Sequence, residues 1–183
     1  RQMQNAVAVL DVNADVIKSL ENCWENQTPV DDFVHKKMID IFRLYLIVGG
    51  MPAAVVSYLK RNNLQDVINS QKEIIRLYRK DISQYDSERQ LNIKDVFDLI
   101  PSELNSKSKR FFIKSLDEKA RAEMFKNEFL WLKDAGVAIP VFNVEEPKLP
   151  LKLASSRNLF KLFSNDVGLL ASQYSEGVQL KIL

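Results

Sequence analysis

The sequence predicts a mainly α-helical fold that gives way to a small antiparallel β-hairpin, and three patterns predict it. Between residues 28 and 85, apolar residues recur at intervals of three and four, which places them on one side of a helix. A Gly49-Gly50-Met51-Pro52 break separates two such segments. Beyond Gly136, β-branched and aromatic residues take over and alternation sets in, as expected of strands.

Near the start, Asn13 is placed to cap a short helix in which Val16, Leu20 and Cys23 share a face, with Trp24 beside them. Thr28-Pro29-Val30-Asp31 is a stronger start signal. The Thr28 hydroxyl can accept from exposed backbone N–H groups, Pro29 suits the first helical position, and Asp31 and Asp32 complement the positive end of the helix dipole. The helix that follows is expected to run to about Val48, with Val34, Met38, Ile41, Tyr45 and Val48 on a stripe widened by Phe42. Gly49-Gly50 ends it. A shorter helix is expected from Pro52 to about Arg61. A long one follows over residues 64–85, its seam running through Leu64, Val67, Gln71, Ile74, Tyr78, Ile82 and Tyr85.

In the next part Asn92 can cap a helix over residues 93–99, and Pro101 is expected to restart a further turn. Ser115-Leu116-Asp117-Glu118 has capping-box spacing ahead of a helix ending at Gly136. Strand-like runs then cover 137–144, the alternating Leu149, Leu151 and Leu153, and 159–163. Turns at Glu145-Glu146-Pro147 and Ser155-Ser156-Arg157 separate them, and Pro140 marks the first run as an edge or broken strand. Helices followed by a small hairpin are the outline of a winged helix. The expected organisation is therefore a helical bundle over 1–88 and a winged-helix-like domain over 89–183, with the boundary inside 86–92.

A chain of 183 residues with 46% hydrophobic content can bury a core as one domain or two small ones. Its 26 Lys and Arg against 24 Asp and Glu leave a formal charge of +2, too near balance to imply a nucleic acid or an anionic membrane from charge alone. Any basic surface has to be local. The single cysteine, Cys23, leaves no internal disulfide and no CxxC pair, which points to a reducing cytoplasm. Charges interrupt each apolar run before the ~18 residues a spanning helix needs, so no membrane partner is expected. The chain opens on Arg1 without the basic head and apolar run of a signal peptide, and we expect it to be a piece of a longer protein.

The residues capable of chemistry point to structural duties. His35 is the only histidine, with no nearby nucleophile motif and no set of metal partners. Asp31, Asp32, Asp81, Asp86 and Glu88 fit caps and solvated faces better than a catalytic carboxylate pair. Cys23 lies on an apolar face and is expected to be packed. Gly49-Gly50 lacks the lysine and hydroxyl of a P-loop, so no catalytic, cofactor or metal site is expected within the chain. The one nucleic-acid signal is Lys107, Lys109, Arg110 and Lys114, four cations without an acid and interleaved with Phe111 and Phe112. Lys148 and Lys152 of the wing are candidates for further backbone contacts. Against DNA, the helix that follows mixes Lys119, Arg121, Lys126 and Lys133 with Glu118, Glu123, Glu128 and Asp134.

Six motifs occur in a specific order: Phe42-Arg43-Leu44-Tyr45-Leu46 leading into Val48-Gly49-Gly50-Met51-Pro52; Tyr78-Arg79-Lys80-Asp81-Ile82; Ile100-Pro101-Ser102-Glu103-Leu104; Trp131-Leu132-Lys133-Asp134-Ala135-Gly136; Leu149-Pro150-Leu151; and Phe160-Lys161-Leu162 with Asp166-Val167-Gly168-Leu169-Leu170. In this the chain resembles the prokaryotic AAA-type ATPases that carry a C-terminal domain of unknown function, over nearly all its length from about Asn13. Ala53 departs from the pattern, where that family often places an acidic residue after the proline.

The resemblance implies a region following a P-loop ATPase core and preceding a nuclease-like segment, both absent from this sequence. The bundle would be the lid on that core, and ATP and magnesium would act only through the core. The expected role is a non-catalytic fragment whose winged helix binds a partner, with DNA as a candidate. The alternative is a protein-interaction or self-association module. Gly49, Gly50 and Pro52 are then expected to serve as a hinge, because a lid has to pivot between nucleotide states.

Overall fold

A computed structural model describes residues 14–85, 87–116, 118–119, 124–146, 148–151 and 154–174. The chain is mainly helical with one two-stranded antiparallel sheet. It divides into two compact units, and the division is discontinuous. The first takes the described residues up to Glu73 together with those from Asp166 onward, and the second is Ile74–Asn165. Neither limit falls at residue 88, where the sequence pattern changes character.

In the first unit α1 (Ala14–Glu25) half-buries Val16, Leu20 and Cys23, as their spacing predicts, while Trp24 is 84% exposed. Asn13 lies outside the described residues. The second helix, α2 (Asp32–Val48), starts later than Thr28-Pro29 suggests. Asp31 is its cap: one carboxylate oxygen accepts from the N–H groups of Phe33 at 2.9 Å and Val34 at 3.3 Å. A charged acceptor at the positive end of the helix dipole outcompetes a hydroxyl three residues upstream. Asp31→Ala should lower stability by about 1 kcal/mol and Thr28→Ala by a few tenths at most. Thermal unfolding followed by circular dichroism would separate the two.

The α2 stripe of Val34, Met38, Ile41 and Tyr45 is half-buried, with full burial at Ile47 and Val48. Phe42 does not widen it, being 53% exposed. After the glycine break, Pro52 opens α3 (Pro52–Arg61), which Asn62 ends in the left-handed region at φ +47°. Asn63 then caps α4 (Leu64–Ile82), which passes from the first unit into the second after Glu73, by accepting from the N–H of Gln65 at 2.8 Å. Val48, Ala54, Val55 and Val67 form a buried cluster, with Leu44, Met51, Tyr58 and Leu64 packed around it. Every position of the predicted α4 seam is at least half-buried. The helix stops at Ile82 and Tyr85 sits in the following turn. No single helix among the described residues is long and apolar enough to cross a membrane. Helices α2 and α3 taken together pass that test of composition, yet the chain bends by 120° between them and both contribute to the same buried cluster.

The second unit is built on α5 (Ser87–Asn105), a continuous helix with Asn92 and Pro101 inside it. The expected start at Asn92 and restart at Pro101 are therefore corrected. Proline removes one helix bond, but it falls in the last turns, and the helix keeps Ile93, Val96, Phe97 and Ile100 on one buried face. Burial of four large side chains outweighs one lost bond. A 3₁₀ turn (Ile113–Ser115) follows, and then α6 (Lys126–Asp134). Asp117 of the proposed capping box lies outside the described residues, as do 120–123. Gly136 closes α6 at φ +68°, with the N–H of Val137 returning to the Leu132 carbonyl.

The hairpin is β1 (Ala138–Val144) against β2 (Ser155–Ser164). Alternation gives it an inner face of Ala138, Pro140 and Phe142 paired with Ser164, Leu162 and Phe160, and an outer face carrying Ile139, Val141, Lys161 and Phe163. Among the described residues the outer edge of β1 is unpaired, which accommodates Pro140. The middle strand expected around Leu149 and Leu151 does not form among the described residues: Leu149 is 88% exposed and Pro150 interrupts the run. Leu153 lies outside the described residues. Ser155 and Ser156, expected in a turn, belong to β2. At the inner face Phe160 meets Phe111 and Phe129 behind it and its strand partner Phe142, which is 46% exposed, with ring centroids 5.1–5.8 Å apart.

Candidate functional site

The first unit brings together two glycine-containing motifs 116 residues apart. The N–H of Gly50 donates to Oδ2 of Asp166 at 2.6 Å, and Oδ1 of the same carboxylate accepts from the N–H of Leu169 at 3.0 Å. Asp166 is thus the N-cap of α7 (Val167–Tyr174) and at the same time the acceptor for the corner between α2 and α3. Gly49 occupies φ +69° and ψ −161°, a combination open essentially to glycine alone. A Cβ built on it would come within 2.9 Å of the Asp166 Cγ.

Gln71, fully buried on α4, completes the arrangement. Its Nε2 donates to the carbonyls of Ile47 at 2.7 Å and Val48 at 3.1 Å, and its Oε1 accepts from the Ser172 hydroxyl at 2.6 Å. The last carbonyls of α2, which have no partner within their helix, are thereby satisfied. Gly168 lets α7 approach this closely: a Cβ there would lie 2.5 Å from Gln71 Nε2, 2.8 Å from the Val48 carbonyl oxygen and 2.9 Å from the Gly49 nitrogen. Asp166, Gln71 and Ser172 are all at least 90% buried. Gln71 reads in the sequence only as one more position of an apolar seam. The available signal was its polarity, since a polar side chain at such a position needs buried partners.

This corner does not fit a phosphate. The Gly49 N–H is held by the Tyr45 carbonyl at 2.8 Å and that of Gly50 by Asp166. A carboxylate occupies the place an anion would take, and the residues present therefore do not provide an ATP site at this corner. Pro52 stands at the first position of α3 and is exposed.

In the second unit Lys107, Lys109, Arg110 and Lys114 are all exposed along the segment after α5. The loop is organised from within. The N–H of Lys109, at φ +53°, donates to the Ser106 carbonyl and hydroxyl, that of Arg110 to the Ser108 hydroxyl, and that of Phe112 to the buried Glu103 carboxylate. Glu103 was visible in the sequence as part of Ile100-Pro101-Ser102-Glu103-Leu104, but its role as the loop's internal acceptor was not. The Arg110 guanidinium lies 5.3 Å from the Phe112 ring centroid. Lys148 sits in the separate β1–β2 loop and its Nζ pairs with Glu146 at 2.7 Å. Lys152 lies outside the described residues. The exposed face of α6 carries Lys126, Asn127, Leu130, Lys133 and Asp134.

The remaining candidates have simpler places. His35 is exposed on α2, Asp31 is a cap, and Asp32 and Asp81 are exposed at opposite ends of different helices. Asp86 lies outside the described residues. The Cys23 thiol is half-buried, 3.7 Å from the Pro29 carbonyl. Among the described residues, no group of three or more His, Cys, Asp or Glu is arranged to hold a metal ion. The Tyr78-Arg79 motif makes structural contacts. The Tyr78 hydroxyl accepts from Asn165 Nδ2 at 3.3 Å, its ring meets Phe97 edge-on, and Arg79 pairs with Asp98 at 2.9 Å.

Fold and site together define a mainly helical protein with a small hairpin, in which the most tightly linked polar residues join segments remote in sequence. The chain belongs to the family described as a domain of unknown function, DUF8612, whose profile matches residues 39–178. That span includes both the Gly49-Gly50 corner and Asp166. Comparison with curated proteins and with solved structures finds no match.

Proposed function

We propose that this chain is a non-catalytic regulatory module of an AAA-type ATPase, in which the helical unit serves as a lid for the ATPase core and the second unit is a winged helix that binds duplex DNA. The observation that carries the DNA reading is the loop of Lys107, Lys109 and Arg110, exposed, free of acids and shaped from within by Ser106, Ser108 and Glu103. A loop held in one conformation loses less freedom on meeting a phosphate backbone. In support of the winged-helix reading, the N–H of Phe111 donates to the Phe160 carbonyl at 3.1 Å. That bond ties the segment between α5 and α6 to β2 at one point. The lid reading rests on the resemblance in sequence, and cytoplasmic residence on the single cysteine.

A protein partner is the second reading, and the α6 face favours it. Leu130 is 47% exposed at its centre, and Asp134 is exposed beside Lys133, a poorer match to phosphates than to a mixed protein surface. Mobility shift of a short duplex over a salt series separates the two. If DNA is bound through the loop, Lys107→Ala, Lys109→Ala and Arg110→Ala combined will weaken binding and lower the slope of log K against log salt by up to about 2.7. Binding indifferent to the triple change, or absent at low salt, leaves the protein-docking role.

A further inference from the structure

We propose that α7 is a latch on the corner between α2 and α3, with the Asp166 carboxylate as its catch. With α7 seated, the corner is tied at its 120° bend; with α7 released, the bend loses that tie and is restrained only by the buried cluster of Val48, Ala54, Val55 and Val67, so that it can widen or narrow. This holds whether or not the helical unit acts as a lid.

Three observations carry the proposal. First, the corner's two glycines do not fix its angle by themselves. Gly49 sits in a region that glycine alone enters readily, Gly50 is a second glycine, and the Gly50 N–H finds its acceptor in Asp166, 116 residues further on. Second, α7 has eight residues, too few to persist as an isolated helix, so its formation depends on docking. Its cap is the very carboxylate that holds Gly50, and its Ser172 reaches Gln71, which grips the last carbonyls of α2. Third, the Gly168 backbone lies against the Val48 carbonyl and the Gly49 nitrogen with no room for a side chain. Seating of α7 and closure of the corner are therefore one event: undocking the helix removes the Gly50 acceptor, and opening the corner removes a partner from the helix cap.

Two measurements on the full chain test this. In a Cys23→Ser background, spin labels at exposed Lys37 on α2 and Lys60 on α3, introduced as Lys37→Cys and Lys60→Cys, report the bend by electron spin distance measurement. The latch predicts one narrow distance with Asp166 in place, and a broadened or displaced distribution in Asp166→Ala and Asp166→Asn. An unchanged distribution in either folded variant overturns it. The second measurement needs no substitution, so it stands even if those variants fail to fold. By native-state hydrogen exchange, the Gly50 and Leu169 amides should show a common protection factor once intrinsic rates are divided out, at least about tenfold lower than that of the α4 amide of Ile68. In Asp166→Asn both should accelerate together, on the order of ten- to a hundredfold. Unequal protection factors at Gly50 and Leu169, or protection of both equal to that of Ile68, would show that no separate latch opens.

Discussion

Gly49→Ala is expected to destabilise the first unit by about 2.5–6 kcal/mol. Of this, about 1–3 kcal/mol is the strain of a non-glycine residue in the Gly49 conformation, and about 1.5–3 kcal/mol is the loss of a charged hydrogen bond when Asp166 is displaced. The added methyl would meet the carboxylate carbon at 2.9 Å, and a carboxylate that retreats from it lengthens its bonds to Gly50 and Leu169. Gly136→Ala is the control. It shares the positive φ, at +68°, but nothing lies within 4 Å of the added atom, so only the strain of about 1–2 kcal/mol remains. Urea unfolding followed by circular dichroism should rank the two variants in that order. Equal losses would mean that backbone conformation alone matters and that the Asp166 contact contributes nothing.

The second large effect is expected at the inner face of the hairpin. Phe160 is 4% exposed and its ring meets Phe111, Phe129 and Phe142. Phe160→Ala would empty the middle of this cluster and should cost about 3–5 kcal/mol. Phe160→Leu keeps most of the volume but loses the ring contacts, each worth about 0.5–1.5 kcal/mol, and should fall between. Trp131, half-buried with its ring 5.7 Å from Tyr85, supplies a fluorescence signal in the same unit. The unfolding midpoint read from Trp131 should drop in Phe160→Ala. A midpoint within error of the parent would show that the cluster is not part of the stabilising core.

What could be read in the sequence was whatever local spacing encodes. The stripes of α2 and α4 and the breaks at Gly49 and Gly136 follow from residue periodicity and from glycine's freedom of φ, and the hairpin after Gly136 follows from composition. Two local signals misled because packing overrode them. Pro101 breaks helices in isolation but is retained where Ile93, Val96, Phe97 and Ile100 need a continuous face. Leu149 and Leu151 alternate as a strand would, yet no facing element covers them and they stay exposed.

The candidate site was legible only in halves. Gly49, Gly50 and the segment from Asp166 each stand out, but a contact across 116 residues leaves no mark in either neighbourhood. Gln71 was hidden for a related reason, because a helical seam shows where a side chain points and not whether it will find acceptors there. For the same reason the division of the chain into units could not be read from the change in pattern near residue 88.

The discontinuous first unit also has a consequence for biosynthesis. A ribosome delivers the chain from its N-terminal end, so α1 to α3 emerge long before Asp166 and α7. Residues 74–165 are contiguous in the chain, whereas the earlier-made helices of the first unit must wait for the segment from Asp166 that completes them. During that interval the buried surfaces around Val48 and Gln71 are open, and this is when nascent-chain chaperones would find them.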